Sequence, residues 1–386
     1  MSEWKKVKLG DVSQYVNDKI AITATNESYY VSTDSMLKDR GGIIAPESIP
    51  SDGNVTKYQS DDILVSNIRP YFKKIWFSCR EGGCSNDVLV FRAIEGITSR
   101  YLYYILSDDT FFEHMMAGAN GTKMPRGNKK LILNYSFELP SLPTQHRIVS
   151  ILSRYDSLIE NYQKQIQLLE EAAQRLYKEW FVDLHFPGHE NSKIVDGVPE
   201  GWEKKKLVEI AELKAGGDKP EIVSAKRTNE CSVPIFSNGT TNEGLYGYTN
   251  LPVIVEQSVT ISARGSVGYT ELRRTPFVPI VRLISVTPHN IYVGYIFYCL
   301  KSTTLDSNGA AQQQITIPMI RNKEITIPSK GILELFESQT EPIFNQIDIL
   351  KEQIRLLTEA RDRLLPKLMS GEIELDGERP GRPTTS

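Results

Sequence analysis

The chain has 386 residues, 40% of them hydrophobic and 24% charged, with a formal net charge of -3. That length suits two or three domains, and the composition is that of a folded chain rather than a disordered one. The acidic pI of about 6.1 is unfavourable for a protein gripping nucleic acid alone, unless charge is laid out unevenly or a partner shares the phosphate contacts.

The N-terminus has no apolar signal-like core, and no apolar run reaches the length of a membrane span. Both features read as a cytoplasmic protein. Cys79, Cys84, Cys231 and Cys299 lack paired metal-ligand spacing, so they read as reduced structural thiols and imply no metal site.

In chain order, residues 1–143 read as a first globular domain. Strand-like runs fall at 28–32, 63–65, 75–77 and 88–91, with helical spacing at 98–106 and 110–116. Asn120-Gly121 marks a turn, and 132–139 is strand-like again. Pro140 and Pro143 stiffen the approach to a long helix, with Thr144 placed to cap its first turn.

That helix region is 144–182. Tyr155, Ile159, Tyr162, Ile166, Leu169, Ala173, Leu176 and Trp180 recur at alternating spacings of four and three, on one helical face. The periodic stretch from Ile148 to Phe181 contains no proline or glycine and predicts a rod roughly 50 Å long. Residues 183–201, with Pro187-Gly188, Asp196-Gly197 and Pro199, read as a linker.

A second copy follows. EGWEKKKLVEI at 200–210 repeats SEWKKVKLGDV at 2–12, with Trp202 in the place of Trp4. The tryptophans read as packing anchors, with base stacking as the alternative. Residues 202–330 form the second domain, with strands expected at 234–237, 258–262, 278–284, 315–317 and 325–327, and a helix at 293–300.

The second long-helix region is 331–371. A shift of 188 carries the first stripe onto Ile343, Ile347, Leu350, Ile354, Leu357, Arg361, Leu364 and Leu368. A shared heptad register predicts that the two helices pack together. The simpler reading is a hairpin used only for stability; the sharper one is a spacer between two similar domains. Pro342 is expected in the first turn of the main rod, after an interruption, and Pro366 is expected to kink or end it. Residues 372–386 read as a flexible tail.

A search for catalytic chemistry finds little. His185 and His189 lie close together, but in the linker. Arg264-Gly265-Ser266-Val267-Gly268 lacks the lysine and the strand-loop-helix context of a nucleotide loop. Asp61-Asp62 reads as turn chemistry and solubility.

Two polar loops in each domain are more informative. SNIRPYFKK supplies Asn67, Arg69, Tyr71, Lys73 and Lys74; ISARGSVGYT supplies Arg264 and Ser266. An offset of 195 pairs Arg69 with Arg264, each after a strand and before a turn, where a guanidinium can fork onto a guanine edge or a phosphate. Surface ion pairing or loop bracing is the competing reading. The second loop carries Lys123, Arg126 and Lys129 in the first domain, and Gln312, Gln313 and Gln314 in the second. Lysines attract phosphate without regard to sequence, whereas glutamine can pair bidentately with adenine. Unlike loops in a repeated frame suggest two readers of two different half-sites.

The duplicated Trp-x4-Leu start, the proline-marked long helices, the Tyr71-Phe72 string and the terminal Arg363-Leu364-Leu365-Pro366-Lys367-Leu368-Met369-Ser370-Gly371 run together resemble the specificity subunit of type I restriction-modification systems. The resemblance covers nearly the whole chain. It implies an α+β chain with two pseudo-repeated target-recognition domains joined by two long antiparallel coiled-coil helices. Each domain would read one half of a bipartite double-stranded DNA target. The helices would set the gap between halves and dock two methyltransferase subunits, which use S-adenosylmethionine to methylate adenine at N6. With two restriction subunits added, such complexes cleave DNA using ATP and Mg2+. The resemblance gives this chain no catalysis and no cofactor of its own.

Arg361 departs from the repeat, standing where Ala173 does, and is expected to snorkel or to meet an acidic group on the other helix or on a methyltransferase. The bulky Tyr155 and Tyr162 are candidate docking positions, with ordinary packing as the alternative. Two other classes remain: a non-catalytic coiled-coil scaffold presenting two protein-binding domains, and an enzyme with built-in DNA recognition, which should carry an extra catalytic domain or a methyltransferase Asn-Pro-Pro-Tyr-like motif that the sequence lacks.

Overall fold

The computed structural model describes residues 4–26, 29–46, 48–119, 121, 123–195, 197–303 and 314–373. Ser28, Asn120, Asp196, the 304–313 stretch with Gln312 and Gln313, and the tail from 374 onward lie outside the described residues. The chain forms two compact units: Met1–Asn161 with Gln353–Ser386, and Tyr162–Glu352.

In the first unit, Lys5–Lys8 pairs antiparallel with Ser136–Leu139, Val7 facing Phe137. A four-stranded antiparallel sheet follows in the order Ser13–Tyr15, Val88–Ala93, Ile63–Ser66, Ile75–Phe77. The stretches 88–91 and 63–65 of the two central strands are continuous apolar runs because helices and a second sheet cover both their faces. The helices are Ser99–Ser107 and Asp109–Ala117, whose N-caps Thr98 and Asp108 accept from Tyr101 N and Thr110 N. Tyr101, Leu102 and Phe111 close on Ile63, Val65 and Phe91.

The second unit repeats this plan. Glu203–Lys206 pairs with Glu324–Ile327, and the four-stranded sheet runs Ala211–Ala215, Ile284–Pro288, Ser258–Ile261, Thr270–Arg273. Helix Val293–Lys301 covers it, with Tyr295, Ile296 and Tyr298 in the core. Trp202 packs 5.0 Å from the Phe186 ring, an anchor as the repeat implied.

The first long helix is Leu142–Tyr177, extended by a π-type turn over Lys178–Val182; the second is Lys330–Met369. They are roughly 54 and 60 Å long at 1.5 Å per residue. Each contributes one half to each unit. In the first unit Ile148 and Leu152 share a core with Leu365 and Leu368, while Asp156 meets Arg361. In the second, Tyr177 and Trp180 lie against Phe336, and Ala173 shares the core with Phe344 and Ile347. Within each unit the two helix segments therefore run antiparallel.

The stripe is as the spacing implied, with a drift at its ends. Ile159, Ala173, Trp180, Ile347, Leu350 and Leu368 are buried, while Tyr155, Tyr162, Ile166, Leu169, Leu176, Ile343, Ile354, Leu357 and Leu364 are half-buried. Toward the ends Tyr177 replaces Leu176, Phe344 replaces Ile343 and Leu365 replaces Leu364 as the most buried residue. A straight helix of 3.6 residues per turn drifts about 20° per heptad from a strict 3.5 repeat.

Several local expectations are corrected. The second helix starts at Lys330 and runs through Pro342 and Pro366 without a break. The roughly 3 kcal/mol proline penalty is offset by packing on both sides of Pro342, where Phe336, Thr340 and Phe344 are buried. The stretch before Ser136–Leu139 is a helical turn, Lys129–Ile132, because the Asn128 side chain accepts from Lys130 N and Leu131 N. Ile317–Ile320 is likewise a helical turn, with proline in its first positions. The first long helix begins at Leu142 rather than after a Thr144 cap. Gln145 fixes its start: the buried amide accepts from Thr98 N and donates to Gly96 O and Pro140 O at 3.0 Å each.

Asp62 does close a turn, with Gln59 N donating to its Oδ2 at 2.9 Å, but it is not the solvent-facing residue expected. It is 1% exposed, and Arg92 forks onto both its oxygens at 2.7 Å. Those hydrogen bonds hold the Arg92 guanidinium above its ordinary value. The strand registers Ile63↔Phe91 and Val259↔Val286 make Ser258 and Thr287 the counterparts of this pair, and their hydroxyls lie 2.8 Å apart. One position thus carries an ion pair in one unit and a neutral hydrogen bond in the other.

Asp62→Ala, which strands Arg92, is expected to destabilise the protein by about 3 kcal/mol. Asp62→Ser with Arg92→Thr, copying the other unit, should cost less than half as much. Urea unfolding of the three proteins measures this, and equal losses for both variants would contradict it.

Candidate nucleic-acid interface

In the first unit the strand Ile63–Ser66 ends in a sharply bent loop. Arg69 and Lys73 both hold left-handed backbone, φ 49°, on either side of the 3-10 turn Pro70–Phe72. Non-glycine residues stay there only when surrounding structure fixes them. The fixings come from three directions. Ser66 N donates to Lys74 O at 3.0 Å and Asn67 N to Asp87 O at 2.8 Å. Arg69 N donates to Pro125 O at 2.8 Å, and Gly127 N to Asn67 O at 3.2 Å. Asp39 N and Arg40 N donate to Phe72 O and Lys73 O at 2.9 and 3.0 Å.

The two loops singled out in the sequence are therefore one surface, joined further by the Ile68↔Arg126 bridge. Gly127 permits the approach: a Cβ there would lie 2.9 Å from Asn67 Oδ1 and 3.0 Å from Ile132 Cδ1.

The side chains divide into braces and free groups. Lys73 bonds Asp109 at 2.8 Å, and Arg40 grips the same carboxylate while its Nε donates to Ser107 O. Burial works to raise the Asp109 carboxyl, but the two cations outweigh it and hold it below the usual range. Arg126 pairs with Asp87 at 3.2 Å. Lys74 Nζ donates to Thr33 O at 2.6 Å. Burial pulls the Lys74 ammonium below the usual lysine range; Asp34 resists this, while Lys38 and Arg69 add to it.

Tyr71 is 47% exposed and stands edge-on to Phe72 at 4.6 Å. Asn67 Oδ1 and Arg69 Nε are buried without a hydrogen-bond partner among the described residues. Such groups are costly unless something pairs with them. Lys123 and Lys129 are exposed; the Lys129 carbonyl accepts from Tyr15 OH at 3.0 Å.

Sequence reasoning missed the 37–44 segment. Lys38 Nζ sits 4.2 Å over the Phe72 ring, a cation–π contact that places it beside Lys74 and Arg69. Lys38-Asp39-Arg40 before Gly41-Gly42 was the available signal: a basic pair leading into a tight turn.

The second unit brings its two loops together in the same manner. Ile315 N donates to Ala263 O at 3.0 Å, and Arg264 Nη2 to Gln314 Oε1 at 3.4 Å. Ser266 O accepts from Tyr269 N within a turn made possible by Gly265 and Gly268 at φ 70° and 84°. Asn238, also missed from sequence, braces the loop through Ala263 N and Val281 O, both at 2.7 Å.

The strand registers correct the loop alignment. They pair Ser66 with Ser262 and Asn67 with Ala263, an offset of 196 rather than 195. Asn67 O and Ala263 O accept the equivalent bonds from the second loop. Arg69 then corresponds to Gly265, and Arg264 to Ile68. Both arginines follow a strand, but they occupy different places in the turn.

Two copies of one α+β domain, each ending a central strand in a braced polar surface and each built with one half of either long helix, define a duplicated architecture. A family model described as type I restriction modification DNA specificity domain matches residues 1–171 and 199–361, and the chain belongs to that family. It is similar to the type I restriction enzyme MjaIX specificity subunit of Methanocaldococcus jannaschii, 29% identical over 73% of this chain and 71% of that one. It also resembles the type I restriction enzyme HindI specificity subunit of Haemophilus influenzae, 23% identical over 97% and 100% of the two chains. The crystal structure of a type I restriction-modification S subunit from M. genitalium shares the fold, with a TM-score of 0.53, 16% identity, and coverage of 95% and 96%. No helix among the described residues is long and apolar enough to cross a membrane.

Gly127→Ala is expected to loosen the loop without unfolding the unit. Hydrogen exchange over residues 66–74 should quicken at least roughly tenfold while helix Ser99–Ser107 stays protected. Unchanged protection of the loop would contradict the bracing role of this approach.

Proposed function

We propose that each unit reads one half of a bipartite double-stranded DNA target within a type I restriction-modification complex. The observation that carries this is the convergence, in both units, of two sequence-distant loops on the exit of the same strand. In the first unit these loops present Asn67, Arg69 and Tyr71 beside Lys38, Lys74 and Arg126; in the second, Arg264 and Ser266 beside Gln314. Basic groups around a few unpaired hydrogen-bonding groups suit a surface where phosphate contacts position and base contacts specify. The unlike chemistry of the two surfaces supports two unlike half-sites.

On this reading the long helices set the number of unspecified base pairs and dock two methyltransferase subunits. Those partners supply S-adenosylmethionine and adenine-N6 methylation. Two restriction subunits, where present, supply ATP- and Mg2+-dependent cleavage, and this chain supplies recognition without catalysis, in the cytoplasm. The chain's acidic balance fits a reader that shares its phosphate contacts with partners.

Reconstitution with the cognate methyltransferase, followed by mapping of methylated adenines across a genome, tests the reading. One bipartite motif is expected. Arg69→Ala should cost about 1–3 kcal/mol and relax one half-site, and Arg264→Ala should relax the other. Lys38→Ala should weaken binding to all duplexes alike and lower the salt slope by about 1. An active assembly that methylates without a motif would sink the proposal.

A further inference from the structure

The two helices carry stripes of the same spacing. At an offset of 188, Ile148 matches Phe336, Leu152 matches Thr340, Ile159 matches Ile347 and Trp180 matches Leu368, and all eight are buried. A helix whose two halves resemble the two halves of its partner has an alternative. The first helices of two copies can also pair antiparallel, first half against second half, and so can the second helices.

One layer of the stripe breaks this equivalence. In the first unit Asp156, 8% exposed, receives Arg361 Nη1 on Oδ1 at 3.0 Å and Tyr104 OH on Oδ2 at 2.6 Å. Arg361 also donates to its neighbour Asp362 at 2.9 and 3.1 Å. Burial opposes the Arg361 charge, but Asp362 and Asp156 outweigh it and hold the guanidinium above its ordinary value. The counterparts in the second unit are Phe344 for Asp156, Ala173 for Arg361 and Tyr298 for Tyr104. There the layer is closed by apolar contact: Ala173 is fully buried, and the Tyr298 and Phe344 rings stack at 6.1 Å.

We propose that the Asp156–Arg361–Tyr104 layer is a pairing lock that admits only first-helix-to-second-helix pairing and excludes like-with-like pairing with a second copy of this chain. Two paired first helices set Asp156 against Ala173, and two paired second helices set Arg361 against Phe344. Each takes away the opposite charge across the seam, leaving Asp156 with only the Tyr104 hydroxyl and Arg361 with only its neighbour Asp362, which is disfavoured. A single buried polar layer fixes partner and register in coiled coils by the same means. The consequence is that each assembled reader combines the two different surfaces in the order the chain encodes. The lock rests on the helix seam and holds whether or not the loops read DNA.

The lock sorts by helix and not by chain, which gives a test with two arms on the full-length protein. Asp156→Phe with Arg361→Ala turns the first unit's layer into a copy of the second's. Refolded from urea over a range of concentrations and sized by light scattering, it should show at least a tenfold larger dimer fraction than the parent chain.

In the second arm, Asp156→Arg and Arg361→Asp each place like charges together in their own chain. Each alone should melt lower. Refolded together, they should form a heterodimer in which the first helix of each chain meets the second helix of the other. A double variant that matches the parent chain in dimer fraction, together with no heterodimer in the mixture, would overturn the lock. The second arm decides if the double variant fails to fold.

Discussion

Neither long helix can bury its apolar stripe alone, and neither domain closes its core without both helices. The largest hydrophobic core of each unit draws on three stretches of chain: the domain itself and one half of each helix. In the first unit Ile148 and Leu152 reach the core directly from the domain they follow, while Leu365 and Leu368 return to it more than two hundred residues later. Closing so long a loop costs entropy, but the cost grows only logarithmically with length. The apolar area of those leucines, their neighbours and the Asp156–Arg361 layer offsets it. The last helix therefore completes the first domain as well as the second.

Much of this was legible in the sequence because repetition shows what one copy alone does not. The offset of 188 along the helices holds for burial as well as identity, so Asp156 and Phe344, or Tyr177 and Leu365, occupy equivalent depths. Trp4 and Trp202 also pack where the duplicated start implied. Prolines misled in the second helix, since Pro342 and Pro366 carry a local penalty that tertiary packing outweighs. Asp62 misled for the opposite reason: nothing local tells a turn aspartate from a buried one whose cation lies thirty positions away.

The two polar loop surfaces were half visible. Asn67, Arg69 and Arg126 lie together in the first unit and Arg264 and Gln314 in the second, a convergence that the separate loops did not announce, and the register between the copies was off by one, because glycine-rich turns align poorly without their strands. Lys73 and Arg126 turned out to be braced by Asp109 and Asp87. The 37–44 segment, which supplies Lys38 and Arg40, showed only as a basic pair before two glycines, because its role depends on hydrogen bonds to Phe72 O and Lys73 O. In each unit the scaffold is shared and the loop chemistry differs, the arrangement expected where one fold carries separate specificities.

The measurement closest to the centre of this account lengthens both helices together. Inserting one heptad into each, between the halves that belong to the two units, after Asn161 and after Glu352, preserves the stripe and adds roughly 10 Å of helix. Methylated-adenine mapping of the reconstituted complex should then return the two original half-sites with a wider gap between them. Altered half-site bases at an unchanged gap would contradict the role of the helices as the spacer between two independent readers.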